Sequence, residues 1–315
     1  MGATADLEAV ASDLLSVNLG ATHDETLAVV CDTPMETIGR AFFDAGVTLG
    51  LETGMVMVQP RERSGQEPPP VARAAMTSAD IVVCPTSTSY THTRAREAAT
   101  DAGARVATMP GVTNEMFADG AINADYEAVA DLTSRVAEAL TDAAEASIES
   151  HGETFTVSIE GRSGISSDGM IREPGSYGNL PSGEAYLAPV EGTGTGTLVV
   201  DGGFAGQSDG GEVVITVEDG RIVDVAGSDP PAVFSSGPPC AREVAELGIG
   251  TNPAARLIGT VLEDEKVYGT CHVAFGDNAG FGGKIDCDSH LDGVLVEPTV
   301  RLDGEVVLAD GEVVV

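Results

Sequence analysis

Between Thr26 and Pro110 four short apolar runs alternate with helical ones, and nothing else in the chain restricts its fold so tightly. In order they read TLAVVCD, the helical METIGRAFFDAG, MVMVQ, a Pro-rich turn and helix, DIVVCP, the helical TRAREAATDAG, and RVATMP. Apolar runs without polar alternation suit strands buried on both faces. Parallel neighbours also need a crossover between them, which the helices supply. An open α/β domain is therefore expected. The acidic amphipathic stretch from Tyr126 to about Ser150 predicts a long helix closing this domain, with a boundary near His151.

Past that boundary the text turns to Thr/Val/Gly-rich strands separated by turns: TFTVSIEGRSG, EAYLAPVEG, GTLVVDGG, EVVITVEDGRIVDVAG, KVYGTCHVAFG, HLDGVLVEPTV and EVVLADGEVVV. Asp219-Gly220 suits a tight hairpin turn. The segment PCAREVAELGIGTNPAARLIG predicts a helix, a Gly-rich turn and the start of a second helix. The expected architecture is an open α/β N-terminal domain over residues 1–150 and a mainly β, metal-binding C-terminal domain over residues 151–315.

Charge excludes several partners. Fifty acidic residues against 16 basic ones give a formal charge of -34, which repels nucleic-acid phosphates and anionic headgroups, so neither nucleic acid nor membrane is an expected partner. Lysine occurs only at Lys266 and Lys284, and the acids are spread along the whole chain. This composition resembles that of cytoplasmic proteins from extreme halophiles. A dense carboxylate surface tolerates its own repulsion when salt screens it, the Debye length being about 3 Å at 1 M, so loss of the fold is expected at low salt. With 42% hydrophobic residues in periodic segments, order is expected rather than acidic disorder. Cys31, Cys84, Cys240, Cys271 and Cys287 form no CxxC pair and are expected to be small buried thiols in a reducing compartment. No apolar run approaches the length of roughly 20 residues that spans a bilayer, and no basic region precedes an apolar one, so a cytoplasmic protein is expected.

The chemistry gathers in the second half. In DSHLDGVLVEPTV, His290 and Asp292 stand two residues apart on an expected strand and so project to one face, as two ligands of one metal would. In VYGTCHVAFG, His272 shares a face with Thr270 and Ala274, opposite the apolar Val273 and Phe275. Two imidazoles and a carboxylate suffice for a 2-His-1-carboxylate iron site or for part of a zinc or cobalt site. Glu184 and Glu246 each precede a turn rich in Gly or Pro, and taken singly each reads as a surface residue. His92 follows a predicted parallel strand and precedes a helix, where such sheets meet their ligands. Asn252 and Arg256, in GTNPAAR, could orient a substrate carboxylate. GDNAGFGGK lacks the spacing of a phosphate loop and reads as an active-site loop.

Four segments in order, NLPSGEAYLAPVEG, AELGIGTNPAAR, LEDEKVYGTCHVAFGDN and SHLDGVLVEPTV, resemble the metal-site segments of the aminopeptidase T family of metallopeptidases. The resemblance runs from about Asn179 to Val300 and implies two domains, a dinuclear metal centre and removal of N-terminal residues from peptides. Matched motif by motif, it places metal ligands at Glu184, Glu246, His272, His290 and Asp292. It implies two divalent ions (zinc, cobalt or manganese) whose shared water attacks the first peptide bond; such ions lie about 3.5–4 Å apart and need bridging carboxylates. A small peptide or other small molecule is the expected substrate, and a homodimer is the expected assembly.

The chain departs from that family twice. Glu265 stands farther from His272 than the family's further ligand glutamate does, and the family's catalytic tyrosine falls on Ala279, leaving Asp277 and Asn278 as the nearest polar groups. Glu265, Asp277 and Asn278 are the catalytic candidates. The same superfamily holds the 2,5-dihydroxypyridine 5,6-dioxygenases, which use one Fe(II), bind it through a similar His-x-Asp pair and open an aromatic ring. That is the alternative expectation. Glu246, where those enzymes are expected to carry histidine, tilts the reading towards hydrolysis.

Overall fold

A computed structural model describes residues 7–204, 211–227 and 230–315. By contacts the chain divides into two units, Met1–Tyr126 with Gly169–Ser182, and Glu127–Asp168 with Gly183–Val315. The fold is mixed α/β, as the residue patterns require.

The first unit is built on a five-stranded sheet in the order Glu52–Val58, Thr26–Asp32, Ile81–Thr86, Arg105–Pro110, Tyr177–Asn179, with every pairing parallel. The strand Ile81–Thr86 is buried throughout, and Thr26–Asp32 is buried in all but its first residue. Helices Glu36–Thr48, Pro70–Met76 and Arg94–Asp101 make the crossovers, the last capped by the Thr93 side chain accepting from the Arg96 N–H. One buried arginine ties the sheet to the chain ahead of it. Arg105 donates through Nη1 to the carbonyls of Leu19 and Gly20, and through Nη2 to Glu25 Oε1 at 2.5 Å. The fifth strand is only three residues long and comes from the separate 169–182 segment.

The second unit stacks two antiparallel sheets. One has eight strands in the order Arg221–Gly227, Val213–Glu218, Thr195–Val200, Glu153–Ser158, Glu145–Ser150, Thr299–Leu302, Glu305–Ala309, Glu312–Val313. The other has six, in the order Gly203–Phe204, His290–Val296, Thr270–Gly276, Val244–Gly250, Glu184–Leu187, Ile165–Ser167. A single apolar core joins Phe155, Val157, Leu198 and Ile215 of the first sheet to Leu187, Leu247, Val273 and Leu295 of the second, with Val136 and Leu140 of helix Tyr126–Asp142 packed on it. Asp219 and Gly220 both take positive φ, 49° and 73°, as the hairpin turn between Val213–Glu218 and Arg221–Gly227 requires.

Three expectations need correction. The helix beginning at Tyr126 ends at Asp142, and Glu145–Ser150 is a strand. In EASIES, Ala146 and Ile148 are buried while Glu145 and Glu149 face out, a period of two that the acidic composition disguises. The segment read as helix, Gly-rich turn and helix start is instead a 3-10 turn, Pro239–Arg242, followed by the wholly buried strand Val244–Gly250. Glycines at 248 and 250 disfavour a helix and let the backbone pack against neighbouring strands. Lastly, Cys31, Cys84 and Cys271 are buried free thiols as expected, but Cys240 and Cys287 form a disulfide across 47 residues. That pairing depends on topology, which brings the turn before one site strand against the loop before another.

Among the described residues no helix is long and apolar enough to cross a membrane.

Candidate metal centre

The six-stranded sheet has two faces with opposite chemistry. Ala185, Leu187, Leu247, Ile249, Cys271, Val273, Phe275 and Leu295 point into the core between the sheets. By strand alternation Glu184, Tyr186, Gly248, His272, His290 and Asp292 project from the other face. Glu246 joins them by the same alternation, paired with Ala274 as Gly248 is with His272, and a register shift lies just ahead of it, where Val244 pairs with Phe275. The extra residue, Ala245, returns Val244 to the core side; without the bulge Val244 would share the face of Glu246.

All five expected ligands therefore meet. Glu246 Oε1 lies 3.3 Å and Glu184 Oε2 3.4 Å from His272 Nε2, while Glu246 Oε2 lies 3.5 Å and Asp292 Oδ1 3.2 Å from His290 Nε2. They form two groups able to hold a metal ion, Glu184/Glu246/His272 and Glu246/His290/Asp292, with the donor atoms in each within 4.8 Å of one another. Glu246 belongs to both. His272 thus keeps company with the two glutamates rather than with His290 and Asp292, which differs from a simple two-histidine triad. The His272 side chain is fully buried and the three carboxylates are at most 8% exposed, whereas His290 is 32% exposed and marks the open side of the centre.

The backbone builds this arrangement. Gly248 is paired with His272 across the sheet, and a Cβ at residue 248 would stand 2.1 Å from His272 Nε2, so the imidazole lies over a position that only glycine leaves open. His290 Nδ1 donates to the Asp277 carbonyl at 2.7 Å, leaving Nε2 to face the carboxylates.

The electrostatics call for a cation. Burial pushes the Glu246 carboxyl above its usual range. Burial disfavours the charged imidazole of His272, yet Glu246 and Glu184 override it and hold the group at about 9. Burial works against the Asp292 carboxylate too, but the neighbouring His290 brings it down to about 2. Buried carboxylates so close together must be offset by positive charge: the Lys266 ammonium, 3.2 Å from Glu184 Oε1, supplies one, and protons on the imidazoles or a metal ion supply the rest. Glu184 Oε2 is buried and makes no hydrogen bond among the described residues, with His272 Nε2 3.4 Å away. Nitrogen and carboxylate oxygen are donors that suit a divalent ion such as iron, manganese or zinc. The residues present fit such an ion.

The remaining candidates take other places. Glu265 follows the short helix Val261–Asp264 and pairs with Lys266 Nζ, and burial first and Glu184 second push its carboxyl up to about 8. Asp277 supports His290 with its carbonyl and accepts from the Cys287 N–H through Oδ1 at 3.1 Å. Asn278 is fully buried, its Nδ2 donating to the Ala245 carbonyl and its Oδ1 accepting from the Ile285 N–H, so it staples the loop to the Glu246 strand. Asn252 accepts from the Ala254 N–H through Oδ1, and the Arg256 backbone N–H donates to Glu263 Oε1. Arg256 side chain is half-buried, and neither residue opens a helix. His92 is exposed in the first unit, two residues ahead of helix Arg94–Asp101.

Sequence reasoning missed four contributors: Gly248, the fully buried Lys266, and the rings of Tyr186 and Phe281. Phe281 stacks edge-on against His290 at 5.9 Å and against Tyr186 at 5.6 Å, forming an aromatic wall beside the open side of the centre. The scarcity of lysine was a usable signal for Lys266. Nothing in the local text distinguished the others.

A family model described as NicX: 2,5-dihydroxypyridine 5,6-dioxygenase matches residues 20–315. No curated protein matches the sequence. Among solved structures, the 2,5-dihydroxypyridine dioxygenase from Pseudomonas putida KT2440 is similar over 100% of this chain and 98% of its own, with TM-score 0.81 and 19% identity. Wild-type AmpT from Thermus thermophilus is similar over 98% of this chain and 99% of its own, with TM-score 0.72 and 16% identity. Both likenesses show the fold. The expectation of a peptide-cleaving hydrolase, with its protease description, is corrected by the family match over residues 20–315. Physically, the position where the aminopeptidase T resemblance puts a catalytic phenol is Ala279, exposed in a 3-10 turn, and the ring that meets His290 is Phe281.

Proposed function

The chain belongs to the 2,5-dihydroxypyridine 5,6-dioxygenase family, and on that footing we propose that it is an Fe(II)-dependent dioxygenase opening a dihydroxypyridine-like aromatic ring. The observation that carries this reading is the Glu246/His290/Asp292 group, at the open side of the centre and beside the aromatic wall of Phe281 and Tyr186. When bound, a ferrous ion supplies the one-electron chemistry by which dioxygen and an aromatic ring combine. Three protein donors leave positions on such an ion for small molecules. Both atoms of dioxygen end in the product of a dioxygenase, so turnover consumes no external reductant.

The protein's own part is positioning. Asp277 fixes the His290 ring through its carbonyl so that Nε2 faces the carboxylates, and Gly248 gives the His272 ring room. Phe281, edge-on to His290, offers an apolar surface to a flat ring and restricts water on that side. Glu265, Asp277 and Asn278 act in this reading through the ligands and the loop, not on the substrate.

The test is oxygen uptake. Protein purified in high salt and loaded anaerobically with Fe(II) should consume one dioxygen for each 2,5-dihydroxypyridine ring lost, and should release nothing from leucyl-anilide. No oxygen uptake and no loss of ring absorbance, in folded iron-loaded protein, would reject the reading.

A further inference from the structure

One of only two lysines in the chain is buried inside this centre. Lys266 is completely inaccessible, whereas Lys284 is exposed. Lys266 Nζ lies 3.2 Å from Glu184 Oε1 and pairs with Glu265 Oε1. Its backbone is equally fixed, since its N–H donates to the Glu263 carbonyl at 3.0 Å and its own carbonyl accepts from the Asn252 N–H at 2.9 Å. The strand end against it is Gly250, where a Cβ would stand 2.1 Å from the Val267 carbonyl oxygen and 2.9 Å from the Lys266 carbonyl carbon. A sequence that otherwise uses arginine has placed a compact ammonium where a planar guanidinium would need more room.

The two metal-capable groups differ in one respect. In Glu184/Glu246/His272, the Glu184 carboxylate is already ion-paired through Oε1 with Lys266. In Glu246/His290/Asp292, the carboxylates face the imidazole of His290, whose Nε2 is itself a metal donor, and no lysine or arginine pairs with them among the described residues. A divalent ion in the first group would sit one carboxylate away from a fixed positive charge in a site from which water is excluded, where like charges repel strongly.

We propose that Lys266 is the resident cation of the centre: it neutralises Glu184 and Glu265, closes the first group to a second divalent ion, and so sets the centre at one ion, held by Glu246, His290 and Asp292. This inference rests on the metal-dependent reading above and names the residue that decides nuclearity. Lys266 is a positioning residue, because it acts through Glu184 and Glu265.

The test is a metal count. Metal-free full-length protein in high salt is titrated with Co(II), followed by visible absorption and by elemental analysis after desalting. The native protein should bind one ion per chain, and Lys266→Gln should bind two, with a second set of absorption bands. Two ions of comparable affinity in the native protein, or a single ion with unchanged affinity and spectrum in folded Lys266→Gln, would overturn the proposal. If Lys266→Gln does not fold, Glu184→Gln decides: retention of one ion per chain supports the assignment, and loss of that ion refutes it. Oxygen uptake keeps the two readings apart, since one ion per chain without ring opening would reject the dioxygenase function while leaving the role of Lys266 supported.

Discussion

His290 Nδ1 donates to the carbonyl oxygen of Asp277 at 2.7 Å, across 13 residues of chain. A carbonyl can only accept, so the proton sits on Nδ1 and the lone pair of a neutral ring sits on Nε2, which faces Asp292 and Glu246. One backbone atom thereby selects the tautomer that can bind a metal.

The loop carrying that carbonyl is secured by a covalent bond. Cys287 lies in it, donates its N–H to Asp277 Oδ1 and is joined to Cys240 in the turn ahead of the Glu246 strand. Reduction with a dithiol should lower the unfolding free energy by about 2–4 kcal/mol. Urea unfolding with and without dithiothreitol measures it, and an unchanged midpoint would contradict the structural role.

Gly248→Ala should damage the centre more than the fold. The new methyl would need the space of His272 Nε2, and residue 248 is on the face away from the core. His272 Nε2 holds Glu246 Oε1 at 3.3 Å, so metal affinity should fall by about 10–100-fold, the range seen when a ligand's support is lost, while circular dichroism stays near native. Native affinity in the variant would show that the ring has another place to go.

Net charge of -34 makes the fold dependent on screening. Dilution from molar salt to about 0.05 M, where the Debye length exceeds 10 Å, should unfold the protein with loss of circular dichroism, and restoring salt should reverse it. A fold that survives desalting would remove the halophilic interpretation of the composition.

In the first unit, Glu25 gives a pH signature independent of the metal. Burial raises its carboxyl pKa, but Arg105 and the Thr22 N–H outweigh burial, and the net value is below the ordinary 4.5. A lowered folded-state pKa means stabilisation that is fully present above the unfolded value and is lost as pH falls through the folded one. Glu25→Gln should therefore cost on the order of 1 kcal/mol at neutral pH and progressively less below about pH 4.5. A cost that stays constant down to acid unfolding would mean the pair contributes nothing electrostatic.

The first unit's sheet was legible because a parallel sheet writes its strands as local apolar runs, and Thr26–Asp32, Ile81–Thr86 and Arg105–Pro110 stand in the text almost to the residue. The Tyr177–Asn179 strand was not, since three residues with a glycine carry no period. Among the site residues, His290 and Asp292 follow directly from strand alternation. Glu246 does not, because the segment that carries it, with glycines at 248 and 250, reads as a helix and turn rather than as the buried strand Val244–Gly250. Lys266 and the Cys240–Cys287 pair are contacts between distant segments, which local patterns do not encode. The choice between hydrolase and dioxygenase was beyond the motifs, since the His-x-Asp pair serves both chemistries.

Oxygen consumption by iron-loaded native protein and by Asp292→Ala, each given 2,5-dihydroxypyridine in high salt, tests the assignment most directly. The native protein should take up one dioxygen per ring opened, and the folded variant should lose both bound iron and turnover by more than the roughly 100-fold expected from weakening a ligand's support alone. Equal uptake by the two proteins, or none by the native one, would contradict it.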